Sequence, residues 1–166
     1  MVLQAILILI GLTLVPALEL RASIPYGLGV YASDHTLSTA GVVLVCILAN
    51  FALAPLVWVF LDKGIHIVLR VGWIDRIYQR VVTRAREKVG YYVERYGTMG
   101  LALFIGVPLP GSGVYSGGLG AYLLGFTFGQ YVIASFFGVL IAGTLVTVVA
   151  LSGIEAFDFM LKRFDH

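Results

Sequence analysis

Charged residues are missing from two long blocks of this chain. Leu37–Leu61 runs 25 residues without Asp, Glu, Lys or Arg, and Tyr96–Ile154 runs 59. A block of 25 is long enough to cross a hydrocarbon core of ~30 Å with some tilt. The longer block is interrupted. Tyr96–Val107 supplies roughly 17 Å of helix, about half a bilayer. Pro108-Leu109-Pro110-Gly111-Ser112-Gly113 then follows, and prolines and permissive glycines cannot continue a regular helix. After it, Val114–Phe128 suits a second short helix, and Gly129–Gly153 is long enough to span fully. The first half has the same order. Val2–Val15 is a short apolar helix stopped by Pro16. Glu19, Arg21, Pro25, Gly27 and Gly29 then precede a second short apolar piece, the loop Ser33-Asp34-His35 and the Leu37–Leu61 span.

Backbone broken at mid-depth is tolerated only where protein or a watery cavity satisfies the freed groups. A short, broken, long order that occurs twice therefore predicts two inverted repeats in an all-α integral membrane protein. Each repeat is a re-entrant helical hairpin plus a full transmembrane helix, and the two tips meet near the midplane. A literal echo, "GLGVYA" at 27–32 against "GSGVYS" at 111–116, points the same way. One membrane domain results: residues 1–61, a basic connector 62–95, and residues 96–166. A layout in which each broken piece passes straight through, giving four spans, stays open from sequence.

Composition agrees with the pattern. The chain is 60% hydrophobic and 12% charged, with a mean hydropathy of +0.97, whereas soluble domains are ~45–50% apolar. A net charge of +2 is too small to imply nucleic acid, and the single cysteine, Cys46, excludes an intramolecular disulfide and reads as small apolar packing. Eight of eleven basic residues lie between Lys63 and Arg95, which puts the connector in the cytoplasm and both termini outside in the hairpin layout. Along the connector, Ile74, Ile77, Tyr78, Val81, Val82, Ala85, Val89, Tyr92, Val93 and Tyr96 recur at helical steps. They predict an amphipathic helix on the inner leaflet, with Trp73 at the interface. No Lys or Arg precedes the first apolar run, so that run reads as a mature segment rather than a cleaved leader.

Candidate chemistry is sparse and therefore easy to locate. Glu19 and Arg21 are the only charges between Met1 and Ser33. At a hairpin tip they would lie within the membrane, where ionisable side chains usually mark a pathway or relay. Residues two apart on a helix point to nearly opposite sides, so the two need not pair. Arginine suits bidentate recognition of phosphate or carboxylate, and a buried glutamate can carry a proton. Asn50 is a lone amide in the first span. It should face a partner, either backbone freed near Pro55 or the cavity. In the second break, the amides of Gly111, Ser112 and Gly113 could bind anionic oxygen. Gly113, Gly117, Ala121, Gly125 and Gly129 step by four, a small-residue ladder for close helix packing. Nothing predicts a metal site, a cofactor or a catalytic nucleophile, so an enzyme is not expected.

"ELRASIP-G" at 19–27, "AN" at 49–50 and "ERYGxxGLALFIGVPLPGSGVYSGGL" from Glu94 resemble the signatures of the small multidrug export protein family. Ser112 stands where that family usually has threonine, and Tyr115 where it commonly has tryptophan. The family is similar in plan to the wider DedA (VTT-domain) superfamily, whose members are linked to lipid movement. The resemblance implies a multi-pass transporter or scramblase in a prokaryotic cell membrane. Its substrate-binding residues would be Glu19, Arg21, Pro25, Gly27, Asn50, Pro108, Pro110, Gly111, Ser112, Gly113 and Tyr115. The leading expectation is an amphipathic or lipid-phosphate anion as substrate, with protons or a monovalent cation coupled through Glu19. Membrane lipids are the expected surroundings, and a homodimer is compatible with the chain. A proton-coupled exporter of lipophilic cations is the first alternative, and a non-transporting scaffold the second.

Overall fold

The computed structural model describes residues 1–16, 18–68, 96–109 and 112–164. The described residues form helices and no strands. The helices are α1 (Val2–Leu14), α2 (Glu19–Gly27), α3 (Thr39–Val68), α4 (Tyr96–Gly106), α5 (Val114–Leu123) and α6 (Phe128–Phe164), with a π-helical turn at Leu28–Ala32. Two stretches are long and apolar enough to cross a membrane, Thr39–Gly64 and Phe128–Gly153, each of 26 residues. The connector helix predicted over Ile74–Tyr96 lies, but for Tyr96, outside the described residues. The chain divides into two compact units, Met1–Asn50 with Ala142–His166, and Phe51–Ile141.

In the first unit, Pro16 ends α1, because proline disfavours the helical conformation of the residue before it. Val15 is accordingly extended, with ψ 123. The interruption is shorter than the sequence suggested. Glu19–Gly27 is helical, with Pro25 inside it, so the break is confined to Val15–Leu18. A Cβ on Gly27 would collide with side-chain atoms of Leu9 and Val42. One turn further along α3, the Cys46 thiol lies beside Ser23 and Thr13. One turn further again, Asn50 meets Glu19. Residue numbers on α1 thus rise with those on α3, while those on α2 fall. The pair α1 and α2 is antiparallel, and its turn is level with Asn50, near the middle of the Thr39–Gly64 span. Ser38 caps α3, its Oγ accepting the Gly41 N–H at 3.1 Å.

The second unit is built on close helix contacts. Ile105 of α4 packs where a Cβ on Gly117 of α5 would lie 2.5 Å from its Cγ1, and where one on Gly138 of α6 would lie 2.7 Å from its Cβ. Reciprocally, Ile141 fills the space beside Gly106. The four-step ladder is therefore correct at Gly117 and wrong at its end. Added Cβ atoms at Gly125 and Gly129 would meet nothing within 4 Å. Gly125 instead has φ 77 and ends α5. The Phe126 N–H reaches Ala121 O and the Gly125 N–H reaches Tyr122 O, a paired closure that needs a left-handed residue. Helix α6 starts with a reciprocal cap, which the sequence analysis missed. The Thr127 N–H donates to Gln130 Oε1 at 2.9 Å, and the Gln130 N–H donates to Thr127 Oγ1 at 3.3 Å.

The "GLGVYA" and "GSGVYS" echo does not carry a shared backbone. Residues 27–32 close α2 and form the π-helical turn, whereas Gly113 has φ 122 and precedes α5. Outward positions of both long helices are apolar, among them Leu44, Leu48, Leu56, Phe60, Ile133, Phe137, Val148 and Val149. A helix with apolar residues outside as well as inside belongs in lipid.

Candidate functional site

Among the described residues, the buried polar side chains of the first unit fall on facing stripes of three helices. Thr13 is on α1, Glu19 and Ser23 on α2, and Cys46 and Asn50 on α3. The pairs 19/23 and 46/50 are each four apart, so each shares a helix face. Glu19 is 7% exposed and Asn50 2%. The Asn50 Nδ2–H donates to Glu19 Oε2 at 3.4 Å, longer than the 2.7–3.2 Å of an ordinary N–H···O bond. Asn50 Oδ1 is buried without a hydrogen-bond partner. The hydroxyls anchor backbone: Ser23 Oγ donates to Glu19 O at 2.9 Å, and Thr13 Oγ1 to Leu9 O at 2.8 Å.

Glu19 reaches this position because of the break before it. It is the first residue of α2, with φ 41, a left-handed conformation. Its N–H donates to Val15 O at 3.3 Å. Standing at the start of α2, its carboxylate lies at the positive end of that helix's dipole. Arg21, two residues on, is half-buried. Pro25 is exposed, and Gly27 is where the hairpin packs most tightly.

The remaining candidates belong to the second unit, where Pro110 and Gly111 lie outside the described residues. The Ser112 N–H donates to Leu109 O at 3.0 Å rather than standing open toward an anion. Ser112 Oγ is engaged as well: its single O–H is within reach of Leu109 O, at 2.9 Å, and of Val107 O, and the oxygen accepts from the Leu109 N–H at 3.1 Å. Ser112 holds the loop together. Pro108 and Tyr115 are half-buried, and Gly113 is buried.

Two features escaped sequence reasoning. Cys46 does not sit in a purely apolar niche, since Ser23 and Thr13 hydroxyls are beside it. The spacing of four from Cys46 to Asn50 carried that signal. Tyr131, fully buried, donates its hydroxyl to Val114 O at 2.9 Å. Trp58 stacks on Tyr131 at 5.5 Å between ring centroids and meets Tyr122 edge-on at 5.5 Å.

Long apolar helices with apolar outer faces, and a carboxylate buried beside an amide, define a helical membrane protein with a polar site inside it. The sequence profile described as "putative small multi-drug export protein" matches residues 19–145, and the chain belongs to that family. The match begins at Glu19. No curated protein and no solved structure matches the chain.

Proposed function

We propose that this protein exports lipophilic cations across the cell membrane in exchange for protons, with Glu19 binding the two in alternation. The observation that carries the reading is the position of the Glu19 carboxylate. It is buried at the turn of a helical pair, level with the middle of an apolar span. A carboxylate there is costly, and such residues mark pathways and relays. One site that takes either a proton or a cation couples the two flows, because loading one releases the other. The family description supports drug export. The lipid-phosphate reading needs backbone donors in the Pro108–Gly113 loop, and the Ser112 N–H is already bonded within that loop.

The test is transport by purified protein in proteoliposomes. An imposed pH gradient should drive uptake of a lipophilic cation such as tetraphenylphosphonium, and Arg21→Lys should retain most of it. Movement of labelled polyprenyl phosphate with no cation flux would replace this reading with the lipid-phosphate one.

The layout proposed with this function is re-entrant. The antiparallel α1 and α2 turn level with Asn50, and α1 has only 13 residues, ~20 Å at 1.5 Å each. Tyr26 and Tyr31, in edge contact at 5.8 Å, then mark the interface to which α2 returns. In the second unit, Trp58, Tyr122 and Phe128 gather where α5 gives way to α6. This layout puts both termini outside and residues 69–95 inside. Reporter fusions at Met1 and His166 should therefore report from outside, and cytoplasmic signals at both ends would establish four spans instead.

A further inference from the structure

Among the described residues, Asn50 Oδ1 is a buried acceptor with no donor, in a side chain that is 2% exposed, and its own Nδ2 meets the buried Glu19 carboxylate. A buried carbonyl oxygen left in this state is costly. The missing donor has an obvious source. A protonated carboxyl has an O–H to give, and an ionised carboxylate has only acceptors.

We infer that Asn50 is the positioning residue for the Glu19 proton, presenting its N–H to the ionised carboxylate and its carbonyl to the protonated one. The inference rests on the Glu19 reading above. A proton from water adds to one carboxylate oxygen of Glu19. The new O–H donates to Oδ1, and the Nδ2–H···Oε2 bond is released. Deprotonation, when the cation enters, reverses each change. Turning the amide about its last torsion demands little repacking, because that torsion is broad and roughly two-fold and the two ends of the group have nearly the same shape. The 3.4 Å bond is long enough to be exchanged readily. Among the described residues, no other titratable group supplies the donor. The helix α1 and residues 142–153 of α6 carry none, the Thr39–Asn50 part of α3 carries only Cys46, and α2 adds Arg21 and Tyr26. The Cys46 thiol lies beside Ser23 and Thr13, one helical turn from Asn50.

Asn50 is the only asparagine in the chain, so selective labelling gives a single side-chain amide. Wild-type protein carrying [13C,15N]asparagine in lipid nanodiscs should show one coupled transition by nuclear magnetic resonance as the pH falls. The Nδ2 protons lose the shift of a bonded donor while the side-chain carbonyl carbon gains that of a bonded acceptor. The midpoint should match that of cation export, and Glu19→Gln should abolish the transition. Asn50→Leu removes both bonds, of which the one to the charged form is stronger. Its export midpoint should differ from that of wild type. Asn50→Ser keeps a group able to donate and accept, and should recover part of that shift. A wild-type carbonyl signal unmoved across the range in which export varies overturns the inference, and that experiment needs no variant. If Glu19→Gln also lacks export, the carboxylate reading stands and only the amide role falls. Normal export by Glu19→Gln overturns both.

Discussion

Glu19→Gln protein should accumulate and fold like wild type, yet fail to move a lipophilic cation against a pH gradient. Glutamine keeps the length of the side chain and can still face Asn50, so the helical pair keeps its packing. What disappears is the negative charge that attracts the cation and the oxygen that takes the proton. Uptake in proteoliposomes should fall by at least tenfold, toward that of protein-free vesicles, a loss of ~1.4 kcal/mol or more in transition-state terms. Cation binding at equilibrium should weaken in parallel. Unchanged, pH-dependent uptake by the variant would remove Glu19 from the site.

The largest stability effect is expected at Gly138. A Cβ there would lie 2.7 Å from Ile105 Cβ and Cγ2 and 2.9 Å from the Ala102 carbonyl oxygen. The side chain is β-branched and the oxygen is backbone, so neither can swing aside. Gly138→Ala should cost about 1–3 kcal/mol, and Gly138→Leu more. At roughly 2–4 °C per kcal/mol for a chain of this size, the apparent Tm in detergent should drop measurably for alanine and severely for leucine. Gly129→Ala is the control. Its added Cβ meets nothing, and the change should stay within about ±0.5 kcal/mol. Equal melting of the two alanine variants would mean that α4 and α6 do not pack as described.

Much of the helical architecture was legible in the sequence because it follows from local chemistry. Pro16, the lengths of the uncharged blocks and the Pro108–Gly113 break each act on their own neighbourhood, and helix starts fall close to where they indicate, although Glu19–Gly27 is helical inside the expected first break and α6 runs on to Phe164. Helix packing was less legible. Gly117 and Gly125 share one spacing pattern, but one faces Ile105 and the other ends a helix at positive φ. Spacing alone cannot tell a packing glycine from a terminating one. The site was half legible. Glu19 stood out as a charge in an apolar segment, and Asn50 as an amide needing a partner. Their meeting could not be read, since 31 residues separate them and the shortness of the Val15–Leu18 break decides which turn of α3 faces Glu19. The Ser112 amide shows a different limit of sequence reading. Sequence marks a glycine-rich loop as able to bind anions, but only coordinates show whether its donors are already bonded within the loop.

Glu19 occupies a backbone conformation with φ 41, where glycine is at ease and other residues are strained by about 1–2 kcal/mol. Glycine at this position would relax the turn and lift a carboxylate out of an apolar interior, so on folding grounds it is the better residue. A library sorted for thermal robustness should therefore enrich Glu19→Gly, while one sorted for survival under a toxic cation should purge it. At this residue the two selections oppose each other, and consensus-style stabilisation of the protein would have to leave it alone.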